Sequence, residues 1–223
     1  MYYELNEEVT SEARAATATD EGVRERVRRL VMHALVARKA DPAEVKSVLR
    51  SALAGIDAGL TQRGEAAAEA LREAVKGMDE AVARSVFALQ LAVDEARGKG
   101  EEFADTDARE AMSSMQDLEQ DLLSTLKNAA DDGKGWIKSE YTDLAAHLTR
   151  AGTDTGAQVR DVMQRLGSRF SSVAQGSGAE ALTAAGVAGS RLREVTSGIL
   201  HGLADALDER AAKADTDQTD LKG

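Results

Sequence analysis

No cysteine occurs in the 223 residues, so the chain can form no disulfide, offer no thiolate nucleophile and hold no metal through sulfur. That absence suits a reducing cytoplasm. Proline occurs once and aromatic residues make up 3% of the chain, so helices meet few breakers and a globular core lacks its usual bulky fillers. No run of about 18 apolar residues is present to span a bilayer as a helix. The opening "MYYELNEEVTSEAR" is acidic and has no apolar core, so a signal peptide is not expected. Basic charge is also short. Lys and Arg number 28 against 39 Asp and Glu, a formal net charge of −11 that opposes general binding to nucleic acid or to anionic lipid.

What remains is rich in Ala, Leu, Glu and Arg, with 30% charged and 43% hydrophobic residues. That composition predicts an all-α chain rather than a disordered one. Residues 1–19 show no clear period and read as a flexible arm. From Glu21 to Lys39, Val23, Val27, Leu30, Val31, Ala34 and Leu35 keep helical spacing, with Arg24, Arg26, Arg28, Arg29, Arg38 and Lys39 on the other sides. Residues 20–40 thus form a short basic amphipathic helix, expected to pair with the carboxylates crowded into 101–132. "DPAE" marks the next helix start: Asp41 as cap, Pro42 at the first helical position and Glu44 where a capping-box carboxylate belongs. The tail 209–223 is polar, unpatterned and expected to be disordered.

Between these limits, residues 41–208 carry an apolar position every eleven residues. The series runs Leu49, Leu60, Leu71, Val82, Val93, Ala104, Met115, Leu126, Ile137, Leu148, Val159, Phe170, Ala181, Leu192 and Leu203. A heptad fails quickly, because steps of seven from Leu49 reach Ile56 and then Arg63. Eleven residues make three turns at about 3.67 per turn, so such a stripe stays nearly straight or winds slightly right-handed. The pattern predicts long amphipathic helices in an elongated bundle or a near-straight coiled coil, with bends near 98–100, 131–135, 152–156 and 175–178. A hairpin bundle, a continuous rod and an oligomer all satisfy it. Gly156, Gly167, Gly178 and Gly189 are likewise eleven apart, and a row of hydrogen-only side chains predicts close packing of another helix. Gly55 and Gly59 form a lone "GxxxG" of little weight by itself.

Catalytic signatures do not assemble. His33, His147 and His201 lie far apart and show no HExxH motif. Asp143 and His147, four apart on one helical face, read as a surface pair. "STLK" (124–127) has the Ser-x-x-Lys form without its companion motifs. Trp136 and Tyr141 read as local packing anchors. No enzyme, cofactor or metal is expected.

The eleven-residue amphipathic pattern, sparse aromatics and near-absence of proline resemble apolipoprotein-type and phasin-type proteins, which lay helices on lipid or polyester storage granules. Separately, "GKGWIKSEYTDLAAHLTRAGTDTG" and "SGILHGLADALDERA" resemble segments of a bacterial all-helical family of unknown function. The first resemblance implies a non-catalytic, cytoplasmic surface-coat protein peripheral to granules or membrane. Its expected partners are itself and a neutral hydrophobic or lipid surface, with no nucleic acid. The alternatives are a self-assembling helical scaffold with no lipid role and a stress protectant.

Overall fold

A computed structural model describes residues 2–38, 42–61, 63–98, 105–173, 196, 198–199 and 201–205. Among the described residues all regular structure is helical. Seven helices are delimited: α1 (Tyr2–Ala16), α2 (Val23–Ala37), α3 (Pro42–Thr61), α4 (Ala68–Gly98), α5 (Asp105–Asp132), α6 (Gly135–Ala151) and α7 (Asp154–Val173). A 3-10 turn, Glu65–Ala67, leads into α4, and 201–205 are again helical.

The N-terminal residues correct the expectation of a flexible arm: Tyr2–Ala16 is a helix, with Val9, Ala13 and Ala16 buried along one side. These positions are four and three apart, so they share one helical face. The C-terminal end of α1 is closed by arginines from elsewhere. Arg26 donates to the carbonyls of Ala16 (2.9 Å) and Thr19 (3.0 Å), and Arg63 donates to that of Thr17 (2.8 Å). The last carbonyls of a helix lack partners within it, and a guanidinium supplies them together with favourable charge.

Pro42 opens α3, where a missing N–H costs nothing. Asp41 lies outside the described residues. Glu44 reaches back to Arg38 Nε at 3.7 Å, an ion pair that spans the turn between α2 and α3. The longest helix, α4, has 31 residues, about 46 Å at ~1.5 Å each. The chain folds back on itself, so the bundle arrangement holds and the rod does not form.

The order of contacts is interleaved. Helix α1 packs on α3 and α2 on α4; α3 packs further on α5, and α4 on α7, while α6 lies on α5. Three layers result: α1 and α2 outside, α3 and α4 in the middle, α5 to α7 on the far side. A middle helix has to be apolar or small on two sides. Accordingly α3 buries Val45, Val48, Leu49, Ala52, Leu53, Ile56 and Leu60, and α4 buries Leu71, Ala74, Val75, Met78, Ala81, Val82, Val86 and Val93 among others. No helix among the described residues is long and apolar enough to cross a membrane.

Candidate functional site

The apolar stripe and the polar bonds that close helices over it form the candidate site. Leu49, Leu60, Leu71, Val82, Val93, Met115 and Leu126 have no more than trace exposure, and Ile137 and Val159 are also buried. Leu148 and Leu203 are half-buried and pack against the same core. Phe170 falls within α7, but its side chain lies outside the described residues, as does all of Leu192. Of the bend expected near 98–100, Gly98 ends α4 and 99–100 lie outside the described residues, as do 175–178 and the tail 209–223.

Of the expected glycine row, only the surroundings of Gly156 are described. A Cβ at Gly156 would run into the Glu119 carboxylate, a side chain rather than a neighbouring backbone. Gly167 is in α7 with its surroundings undescribed, and Gly178 and Gly189 lie outside the described residues. The backbone contacts are made by Gly55, Gly59 and Gly77. A Cβ on Gly55 would collide with the Thr10 carbonyl and one on Gly59 with Thr17 Oγ1 and the Arg14 carbonyl, all on or just beyond α1. On Gly77 it would strike the Arg24 carbonyl of α2. The "GxxxG" of α3 and one glycine of α4 are therefore the seats on which the outer layer rests.

The basic helix also finds different partners from those expected. Arg24 and Arg28 pair with Glu80 of α4, and Arg28 also pairs with Glu25. From the acidic stretch, Asp121 of α5 meets Lys46 of α3 at 3.1 Å. The cause is topological: α2 rests on α4, whereas α5 rests on α3.

Two carboxylates from other helices hold the start of α7. Asp79, buried in α4, accepts from the backbone N–H of Asp154 (2.7 Å) and Thr155 (2.9 Å) and from Thr155 Oγ1 (2.7 Å). Thr153 Oγ1 accepts the Gly156 N–H at 2.8 Å and donates to Glu119 Oε1 of α5 at 3.1 Å. A helix N-terminus leaves its first amides unpaired and carries partial positive charge, so a carboxylate is well placed there. Burial raises the Asp79 pKa, and the donors from Thr155 and Asp154 work against that rise.

Helix α6 is fastened by two polar bonds to the middle layer. Tyr141, fully buried, donates its hydroxyl to Asp57 Oδ1 of α3 at 2.6 Å. Arg72 of α4 holds both oxygens of Glu140, at 2.7 and 2.9 Å. Burial pushes the Asp57 carboxyl up to about 6, and the Tyr141 hydrogen bond partly opposes it. Burial, with the Asp57 charge beside it, holds the Tyr141 phenol well above its ordinary range. Both ends of α6 are glycine joints. Gly135 (φ 58°) follows the extended Lys134, and Gly152 (φ 90°) ends the helix in a conformation that a side chain would strain. Beside Asp57, a cleft of about 580 Å³ opens between α3 and α5 and reaches the joint at Gly133.

The remaining candidates for chemistry stay dispersed. Asp143 and His147 are exposed on α6. Ser124 Oγ donates to the Asp121 carbonyl at 3.1 Å, and Lys127 is exposed. Among the described residues no three His, Asp or Glu side chains gather to hold a metal ion. Trp136 packs half-buried against the core beside the α5–α6 joint.

Sequence reasoning passed over Asp57, Asp79, Glu119 and Gly77. One of them carried a legible signal: Asp57 is the only charged residue between Arg50 and Arg63. A lone acid on an otherwise apolar helical face marks a buried polar contact.

Layered helices, a buried apolar stripe and carboxylate-capped joints define an all-α helical-bundle protein. The chain belongs to a family of unknown function, DUF6781, whose model matches residues 4–209. No curated protein and no solved structure matches it.

Proposed function

We propose that this chain is a non-catalytic helical coat protein of bacterial phasin type. In solution it folds its apolar stripe inward, and at a neutral hydrophobic surface, such as a storage granule or lipid droplet, it turns that stripe outward. The observation that carries the reading is the pairing of stripe positions buried from Leu49 to Val93, at Met115 and Leu126, and at Ile137 and Val159 with glycine joints at Gly135 and Gly152. Helices α6 and α7 can swing at these joints with their internal hydrogen bonds intact, and what they uncover is Leu, Val, Ile and Ala. The core also contains Asp79, Thr125 and Thr155, polar groups whose rehydration offsets part of the cost of separating the layers.

An eleven-residue repeat suits this use, since a nearly straight stripe lies flat on a surface much larger than the protein. The proposed location is the cytoplasmic face of such a granule. The proposed partners are that surface and further copies of the chain, while the charge of −11 turns nucleic acid away. The test is flotation with triacylglycerol emulsion or polyester particles, followed by circular dichroism of the bound fraction. Co-flotation with helicity retained supports the reading; protein left in the aqueous phase removes it.

One observation favours a second reading, a helical scaffold with no lipid role. Gly55, Gly59 and Gly77 lock the outer layer by backbone contact, an arrangement suited to a permanently closed bundle. Light scattering that shows a rigid oligomer indifferent to emulsion would select it.

A further inference from the structure

Helix α6 is joined to its neighbours by glycine at both ends, lies mainly on α5, and reaches the middle layer through Tyr141–Asp57 and Arg72–Glu140. We propose that α6 is a hinged flap over the stripe, and that Tyr141–Asp57 is its proton-sensitive latch. The use of this motion, to start the uncovering of the stripe, rests on the coat reading above; the motion itself does not.

The latch joins two groups of different kinds. Tyr141 is fully buried, so its hydroxyl must find a partner inside, and Asp57 is the acceptor it meets. Asp57 sits half-buried at the edge of the cleft between α3 and α5. The charged groups sharing that cleft are Arg50 from α3 itself and Asp131 and Asp132 from α5, while α6 meets Asp57 through the Tyr141 hydroxyl. What disfavours the Asp57 anion is its burial. With Asp57 neutral the carboxyl and phenol share a hydrogen bond at little cost. With Asp57 ionised, a partly dehydrated anion rests on a single phenolic donor.

The direction follows from proton linkage. Folded, Asp57 holds its proton up to a pH of about 6, against 3.8 for an ordinary aspartate, and lifting α6 returns it to water. Closed flap therefore binds more protons than open flap in that interval. Opening becomes easier as pH rises from about 4 to about 6 and levels off above. Arg72–Glu140 is a second fastening of α6, separate from the Tyr141–Asp57 bond.

Hydrogen exchange of the full chain without lipid, measured by mass spectrometry, reads the opening directly. Expressed as protection factors to remove the intrinsic pH dependence, exchange in peptides from 135–151 should lose about tenfold protection between pH 5 and pH 7. Peptides from α4, which open only with the whole fold, should stay better protected than those of α6 at both pH values. Asp57→Asn, which keeps an acceptor for Tyr141 and cannot ionise, should flatten the α6 profile. Glu140→Gln should lower α6 protection at both pH 5 and pH 7 and leave the Asp57-dependent loss between them in place. Flat wild-type protection, or an unchanged slope in Asp57→Asn, overturns the latch. Failure to bind emulsion would discard the coat reading and leave this measurement standing.

Discussion

The backbone N–H of Thr155 lies 2.9 Å from Asp79 Oδ1, so the first turn of α7 is capped by a carboxylate from a helix 76 residues earlier in the chain. Local caps are the rule; here α4 supplies one across the layer boundary. Asp79→Ala should remove the acceptor for two amides and a hydroxyl in a buried place and destabilise the protein by about 2–3 kcal/mol. Urea unfolding checks this, and Asp79→Asn, which retains an acceptor oxygen, should lose less.

Glycine substitutions should split by sign. Gly77→Ala drives a methyl into the Arg24 carbonyl and should cost about 1–3 kcal/mol. Gly202, helical and exposed with nothing within 4 Å of an added Cβ, should gain about 0.5–1 kcal/mol on change to alanine. Paired urea midpoints at constant m-value decide it.

Truncation of the stripe should be costly in the middle layer. Leu71 is completely buried, and Leu71→Ala should lose about 2–5 kcal/mol. Leu91, 36% exposed on the same helix, should lose well under half as much in a parallel unfolding series.

Global stability should carry the Asp57 titration. Its folded carboxyl is raised to about 6 from 3.8, so its stabilising contribution is complete below about pH 4 and lost as pH rises through 6. Wild type and Asp57→Asn should therefore unfold at similar urea concentrations near pH 4, and the variant should be the more stable above pH 6. Equal gaps at pH 4 and pH 7 would show that Asp57 keeps its ordinary acidity.

The all-α class was legible because composition and the single proline leave few alternatives. An apolar position every eleven residues tells which side of a helix turns inward, but not which helix covers it, so the interleaved order of layers was invisible. Helix α1 was missed for a related reason. Its buried face is Val9, Ala13 and Ala16, little apolar area, set against glycines on α3. Interfaces made by close backbone approach contain few apolar atoms, and a search for hydrophobic period underweights them on both partners. Gly55 and Gly59 lie in such an interface, set against α1. Charge counts along a sequence carry no information on which helices become neighbours, and Arg24 and Arg28 meet Glu80, one acid in α4.

The interleaving has a consequence for synthesis. Helix α1 leaves the ribosome with no principal seat until α3 follows it, and α2 must wait for α4, so neither adjacent pair forms a self-sufficient hairpin. The earliest unit able to sequester its own contacts is the four-helix block ending near residue 98. Until that point the nascent chain presents unshielded leucines and valines to solvent, which is the interval in which a chaperone has something to hold.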